Sequence, residues 1–85
     1  MEQYTVYVIR STVNGFLYKG LTTDIKNRVS EHNSGKNFYT KPYIPWELVY
    51  FKVFSDRIEA RKYEKYLKSG IGRDFLKKYL SENRL

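Results

Sequence analysis

An Asn-Gly pair at residues 14 and 15 stands between two runs of aromatic and β-branched residues, and it limits the fold more than any other feature. Asn and Gly both tolerate positive φ, so the pair is the strongest short-range signal for a tight hairpin. Tyr4 to Ile9 is an apolar, β-branched and aromatic run that reads as a well-buried strand. Phe16 to Leu21 then reads as a second strand, antiparallel to the first.

Beyond the hairpin, Thr22, Thr23 and Asp24 offer helix N-caps. Ile25 and Val29 lie one turn apart, and Asn33-Ser34-Gly35 closes a short helix with Gly at a suitable C′ position. Lys36 to Pro45 carries both prolines and no clean period, which predicts a loop. Trp46 to Phe54 is nearly all aromatic and β-branched and predicts the third strand. Asp56 followed by Glu59 resembles a capping box with Asp in place of Ser or Thr. A helix follows through Ala60, Tyr63 and Leu67, ending at Gly70. Phe75, Leu76, Tyr79 and Leu80 mark a last short helix before a polar tail at 81–85. The order is ββαβαα, an α+β domain with a three-stranded antiparallel sheet flanked by helices.

A chain of 85 residues fits one domain, here with its core over about residues 4 to 80. At that size only about two-thirds of the surface is buried on folding. Nine Tyr, five Phe and one Trp supply the large apolar areas an efficient core needs. Cysteine is absent, which excludes a disulfide scaffold and a thiolate metal site, and the single His excludes a His-rich one. No secretory signal is visible, and no apolar run approaches the roughly 20 residues of a membrane span. The expectation is a soluble cytoplasmic protein without a small-molecule cofactor. Sixteen Lys and Arg oppose nine Asp and Glu, for a net charge of +7, and that excess makes nucleic acid a leading candidate partner.

Several residues can carry chemistry. Arg28 and His32 stack one turn apart at the margin of the apolar stripe of their helix. They are either a solvated Arg beside a packed His, or a cation and an imidazole directed into a cleft. Tyr7 and Tyr18 sit on the paired strands, where tyrosine also packs well for purely structural reasons. Gly20 inside an apolar strand needs a cause, such as a bulge or the close approach of a ligand. Glu64 borders the apolar stripe of its helix among basic neighbours. It either pairs with Lys68 at i+4, or holds a hard divalent cation, for which one carboxylate plus water and phosphate oxygens suits Mg²⁺. The loop Lys36-Asn37-Phe38-Tyr39-Thr40-Lys41 mixes charge with aromatic rings. It suits backbone contact and base stacking, unless Phe38 folds back onto the core.

Taken in order, these positions resemble the GIY-YIG nuclease family. Thr5-Val6-Tyr7 stands where GIY is expected and Tyr18-Lys19-Gly20 where YIG is expected. Arg28 and His32 follow, and Glu59-Ala60 with Tyr63-Glu64 matches the segment around the family's metal-binding glutamate. The stretches EHNSGK, PWELVY and EKYLKSG are similar to small stand-alone bacterial members related to the excision-repair nuclease subunit. The resemblance implies hydrolysis of a nucleic-acid phosphodiester, DNA before RNA, with one Mg²⁺ or Mn²⁺ ion, in DNA repair or recombination. It implies Tyr7, Tyr18, Arg28, His32 and Glu64 as catalytic residues, Glu64 being the sole protein ligand of the metal. Arg28 would stabilise the phosphate charge, and either Tyr7 or Tyr18 would activate water, as a phenolate or through His32, with Arg28 lowering the phenol's pKa. Lys19, Lys36, Lys41 and Lys65 would contact the nucleic acid, and a larger protein would supply specificity. The alternative is a nucleic-acid-binding module or adaptor of the same fold without turnover. The chain departs from the pattern at Thr5, Val6 and Lys19. It also departs at Leu21, where excision-repair members carry Lys, and in having only Asn83 downstream of the glutamate.

Overall fold

The computed structural model describes residues 2–82. Strand β1 (Tyr4–Ser11) is central, paired antiparallel with β2 (Leu17–Thr22) on one side and β3 (Trp46–Phe54) on the other. Helix α1 is Ile25–Asn33, α2 is Arg57–Lys68 and α3 is Gly70–Glu82, and a single 3-10 turn covers Lys41–Tyr43. The fold is therefore α+β in the order ββαβαα, and Trp46–Phe54 forms the strand that its composition predicts.

The unbroken apolar run of β1 follows from its position, covered on both faces as well as both edges. Val6 and Val8 pack with Ala60 and Leu67 of α2 and Leu76 of α3. Tyr7 and Ile9 point to the opposite face and pack with Trp46, Tyr18, and Ile25 and Val29 of α1. The register is Val8↔Tyr50 but Ile9↔Leu48, so Val49 is an extra residue that bends β3.

The connections refine the sequence reading in four places. The turn after β1 is not the two-residue type in which Asn and Gly both take positive φ. Only Gly15 does (φ 78°), and its N–H donates to the Ser11 carbonyl at 2.9 Å, four residues back. The loop is longer as a result, and Phe16, 55% exposed, lies outside β2. Asp24 caps α1 by accepting from Asn27 N–H, and Gly35 closes it with φ 83°. Asp56 caps α2 through Ile58 N–H, but Glu59 reaches forward to Lys62 at 3.9 Å, so half of the capping box forms. Helix α2 ends at Lys68 with Ser69 as its cap, and Gly70 opens α3 rather than closing α2. Gly72 lies so close to Tyr66 and Leu67 that no side chain fits there, which lets α3 fold tightly back on α2. Helix α3 has 13 residues and runs through Ser81 and Glu82, which apolar spacing alone assigned to a tail. The remainder of that tail, with Asn83, lies outside the described residues. Among those described, no helix is long and apolar enough to cross a membrane.

Candidate active site

The two faces of the hairpin are unequal. Alternation sends Tyr7, Ile9, Tyr18 and Gly20 to the α1 face and Val6, Val8, Leu17 and Lys19 to the α2–α3 face. Tyr7 pairs with Gly20, and its ring lies directly over that glycine. A Cβ at residue 20 would meet Tyr7 Cζ at 2.5 Å and Cε1 at 2.8 Å. Gly20 is thus required by a neighbouring side chain, where the sequence had left a bulge or a ligand as the cause.

Tyr7, Tyr18, Arg28 and Glu64 line one open cavity of about 390 Å³ beside β2, between α1 and α2. Tyr4, Thr22 and Thr23 add hydroxyls to its wall. Arg57 and Arg61 complete it. Neither belongs to the set that the family resemblance implies, although Arg57, Arg61 and Glu64 stand at i, i+4 and i+7 and so share a helix face. They bring positive charge to a wall that also contains Leu21, the position where excision-repair members carry Lys.

His32 is not part of that wall. It is 1% exposed and sits behind Tyr7, with Nε2 3.0 Å from the phenol oxygen and Nδ1 2.8 Å from Thr40 Oγ1. The Tyr18 ring meets His32 edge-on with centroids 5.0 Å apart. Thr40 is buried too, and its carbonyl accepts from Trp46 Nε1–H at 2.9 Å. A chain of hydrogen bonds therefore runs from the cavity wall at Tyr7 through His32 to the loop at Thr40. Nothing in the sequence marks Thr40 for that position, because its partner lies eight residues away across a loop.

Electrostatics separate the candidates. Burial, reinforced by Tyr18, pushes the Tyr7 hydroxyl up to about 12; the nearby Arg28 guanidinium pulls downward, and Glu64 raises it. Arg28 acts in the expected direction and is outweighed by desolvation, so Tyr7 rests as a neutral phenol. Burial likewise holds the His32 imidazole below its ordinary value, with Arg28 adding to the effect and Glu31 opposing it. His32 is thus neutral, one ring nitrogen donating and the other accepting. Arg28 is braced by Glu31, which contacts its Nε at 3.2 Å.

Glu64 forms the expected i, i+4 pair and also faces the cavity. It lines the cavity, and its Oε2 accepts from Lys68 Nζ at 3.3 Å, leaving Oε1 without a partner among the described residues. Apart from the three guanidinium groups, which cannot ligate a metal, the polar side chains of the wall offer oxygen, the ligand type of a hard divalent cation. No group of three or more His, Cys, Asp or Glu that could hold a metal occurs among the described residues, so an ion at Glu64 would need water and phosphate oxygens to complete its shell.

The cationic residues divide into two sets. Lys36 lines a shallow cavity with Arg28 and His32, Lys41 is exposed at the start of the 3-10 turn, and Lys65 lies beside Arg57 and Arg61. Lys19 is elsewhere, on the α3 side of the sheet. Phe38 and Tyr39 are 83% and 78% exposed, so Phe38 does not fold back onto the core.

The first hairpin of a three-stranded sheet thus brings two phenols to the same cavity as an arginine and a glutamate. The chain belongs to the GIY-YIG family, whose catalytic domain matches residues 3–79. A UPF0213 protein of Staphylococcus haemolyticus is 39% identical over 70 residues, covering 81% of this chain and 84% of the relative. One from Bacillus licheniformis is 35% identical over 79 residues, covering 92% and 80%. The solution NMR structure of a UPF0213 protein from Bacillus halodurans is similar with a TM-score of 0.56 at 31% identity, over 91% of this chain and 84% of that one. The family is generally one of endonucleases, hydrolases that bind nucleic acid and typically use a divalent metal.

Proposed function

We propose that the chain is an endonuclease that hydrolyses phosphodiester bonds of nucleic acid, DNA before RNA, with Glu64 holding one Mg²⁺ or Mn²⁺ ion. The observation that carries this is the convergence of Tyr7, Tyr18, Arg28 and Glu64 on one cavity, from a hairpin and two different helices. Tyr7 and Tyr18 pack together beneath the cavity, but the Arg28 guanidinium and the Glu64 carboxylate have no part in that packing, and their presence beside two phenols fits action on one group.

Arg28, Arg57 and Arg61 bind the non-bridging oxygens and stabilise the charge that grows on them in the transition state. The metal supplies Lewis-acid polarisation of the phosphate and stabilisation of the leaving oxygen. Tyr7 takes the proton of the attacking water as it passes its own to His32 Nε2, so the buried phenol never stands as a free anion. This requires the His32 tautomer with its proton on Nδ1, which donates to Thr40 Oγ1. Tyr18, on the neighbouring strand of the same face, orients the water. Lys36, Lys41 and Lys65 extend the positive surface around the cavity, and the exposed Phe38 and Tyr39 rings stack on unpaired bases. A single small domain relying on phosphate contacts has low sequence specificity, so a larger partner protein, in repair or recombination, would direct it.

Incubation with branched, nicked and plain DNA, with Mg²⁺ or Mn²⁺ and with chelator, tests this. Metal-dependent cutting that is lost in Glu64→Ala is the expected outcome. Salt-sensitive binding without cutting would replace the enzyme by a binding module.

A further inference from the structure

Lys19, Arg73 and Lys77 converge on a second cavity of about 450 Å³, lined also by Arg10, Leu17 and Leu80. It lies on the α2–α3 face of the sheet, away from the catalytic cavity. Arg73 and Lys77 stand one turn apart on α3, and Lys19 projects toward them from β2. Arg10 is engaged by Glu47 at 2.7 Å. Among the described residues Lys19, Arg73 and Lys77 have no carboxylate in ion-pair contact.

We propose that this cavity is a second phosphate-backbone site, which holds another segment of the nucleic acid whose scissile bond occupies the catalytic cavity. It rests on the nucleic-acid function proposed above and adds where the substrate goes next. Three like charges around one hollow repel each other, most strongly at Lys19, which is partly buried while Arg73 and Lys77 are exposed, and an anion entering the hollow relieves that repulsion. Lys19 carries the mark of this: burial, then Arg73 and Lys68, lower its affinity for a proton. Lys19 also occupies the middle place of the YIG motif, where an apolar residue would pack against α3. In this chain that place presents a cation instead.

The topology connects the two cavities. Strand β2 is an edge strand, and its consecutive residues Tyr18 and Lys19 face opposite sides of the sheet. A flexible strand leaving the catalytic cavity round that edge reaches the second hollow within the thickness of one sheet. A straight, stiff duplex cannot follow that path. The occupant is therefore a single-stranded flank or a second arm of branched nucleic acid, bound through its phosphates.

Binding measured by fluorescence anisotropy in chelator, over a salt series, tests this with two labelled probes. One is a plain duplex of about 30 base pairs, which at 3.4 Å per pair far exceeds the 33 Å long axis of the protein. The other is a fork of the same duplex with single-stranded arms. The expected result is a steeper salt dependence for the fork. Lys19→Ile combined with Arg73→Gln should lower the fork's log–log slope by about 1.5, since each phosphate contact contributes roughly 0.7–0.9. The plain duplex should respond less. Melting curves establish that the variant is folded, and Lys77→Gln, on the exposed side of α3, serves if it is not. A folded variant with the unaltered slope on the fork overturns the second site and leaves the catalytic cavity standing. No binding of either probe by the unaltered protein overturns both.

Discussion

The ring of Tyr7 fills the space that a side chain at residue 20 would need, so the two motifs of the hairpin are interlocked across a single pair of strands. The same packing holds the Tyr7 hydroxyl on His32. Gly20→Ala should therefore displace Tyr7 and its hydrogen bond. A loss of about 1–3 kcal/mol is expected from overpacking, measured by urea unfolding, together with a loss of cleavage larger than the loss of folded protein at the assay temperature. Unchanged stability would show that the ring can move aside.

Glu64→Gln keeps the size of the side chain and removes its charge. The pair with Lys68 is half exposed at the lysine, so its removal should cost under about 1 kcal/mol. Cleavage should fall at least 100-fold, and chelator should have no further effect on what remains, in a gel assay run beside melting curves.

Thr40 is buried against His32, and Thr40→Val retains its shape while deleting the hydroxyl. Leaving His32 Nδ1 without a partner should destabilise the fold by about 1–3 kcal/mol. Thr40→Ser should restore most of the stability, and with it the cleavage rate. If Val and Ser behave alike, the hydroxyl has no part in orienting the imidazole.

Alkaline and acid stability should differ in origin. Tyr7 stays protonated up to about 12 in the fold, whereas an unfolded tyrosine ionises near 10. Its contribution is complete below pH 10 and is lost as pH rises through about 12. Tyr63, raised by burial and by its hydrogen bond with Tyr50, acts in the same direction. Tyr7→Phe should flatten the alkaline fall by about 2–3 kcal/mol, leaving the share of Tyr63. His32 is held below its ordinary value, so its contribution is present above about pH 6.5 and declines as pH falls toward the lower folded value. Unfolding free energies measured across pH in the two variants Tyr7→Phe and His32→Asn separate the two limbs.

Phe38 and Tyr39 stand out from a loop that Asn37 ties down by accepting from the Tyr39 and Thr40 N–H groups at 2.9 and 3.2 Å. Replacing both rings by Ala should change stability by no more than about 0.5 kcal/mol. Affinity for single-stranded oligonucleotide should fall by about 1–3 kcal/mol for each base that stacks. Anisotropy titrations with single strand and duplex would show whether the loss is confined to the single strand.

What the sequence revealed about this fold tracks how local each signal is. The caps Asp24 and Asp56, the turn at Gly35 and the strand Trp46–Phe54 depend on neighbours within a few residues, and all of them form. The grouping of Tyr7, Tyr18, Arg28 and Glu64 was legible through family resemblance, not through spacing, because four separate elements contribute. Arg57 and Arg61 were legible in principle from the period of α2 and were lost among its many basic residues. Thr40 and the steric need for Gly20 were not legible, since both arise where distant segments meet. The long turn after Ser11 went the other way from its Asn-Gly signal. There the Ser11 hydroxyl accepts from the Val13 and Asn14 N–H groups and stabilises a wider loop.

Ala60 has no exposed surface and lies where α2 meets the central strand, one turn before Glu64. A methyl group there acts as a spacer, setting how far the carboxylate stands from the phenols that face it across the cavity. A bulkier residue would tilt the helix like a lever and carry Arg57, Arg61 and Glu64 outward as one piece. The aperture of the cavity is in this sense gauged from inside the hydrophobic core, by a residue with no exposed surface.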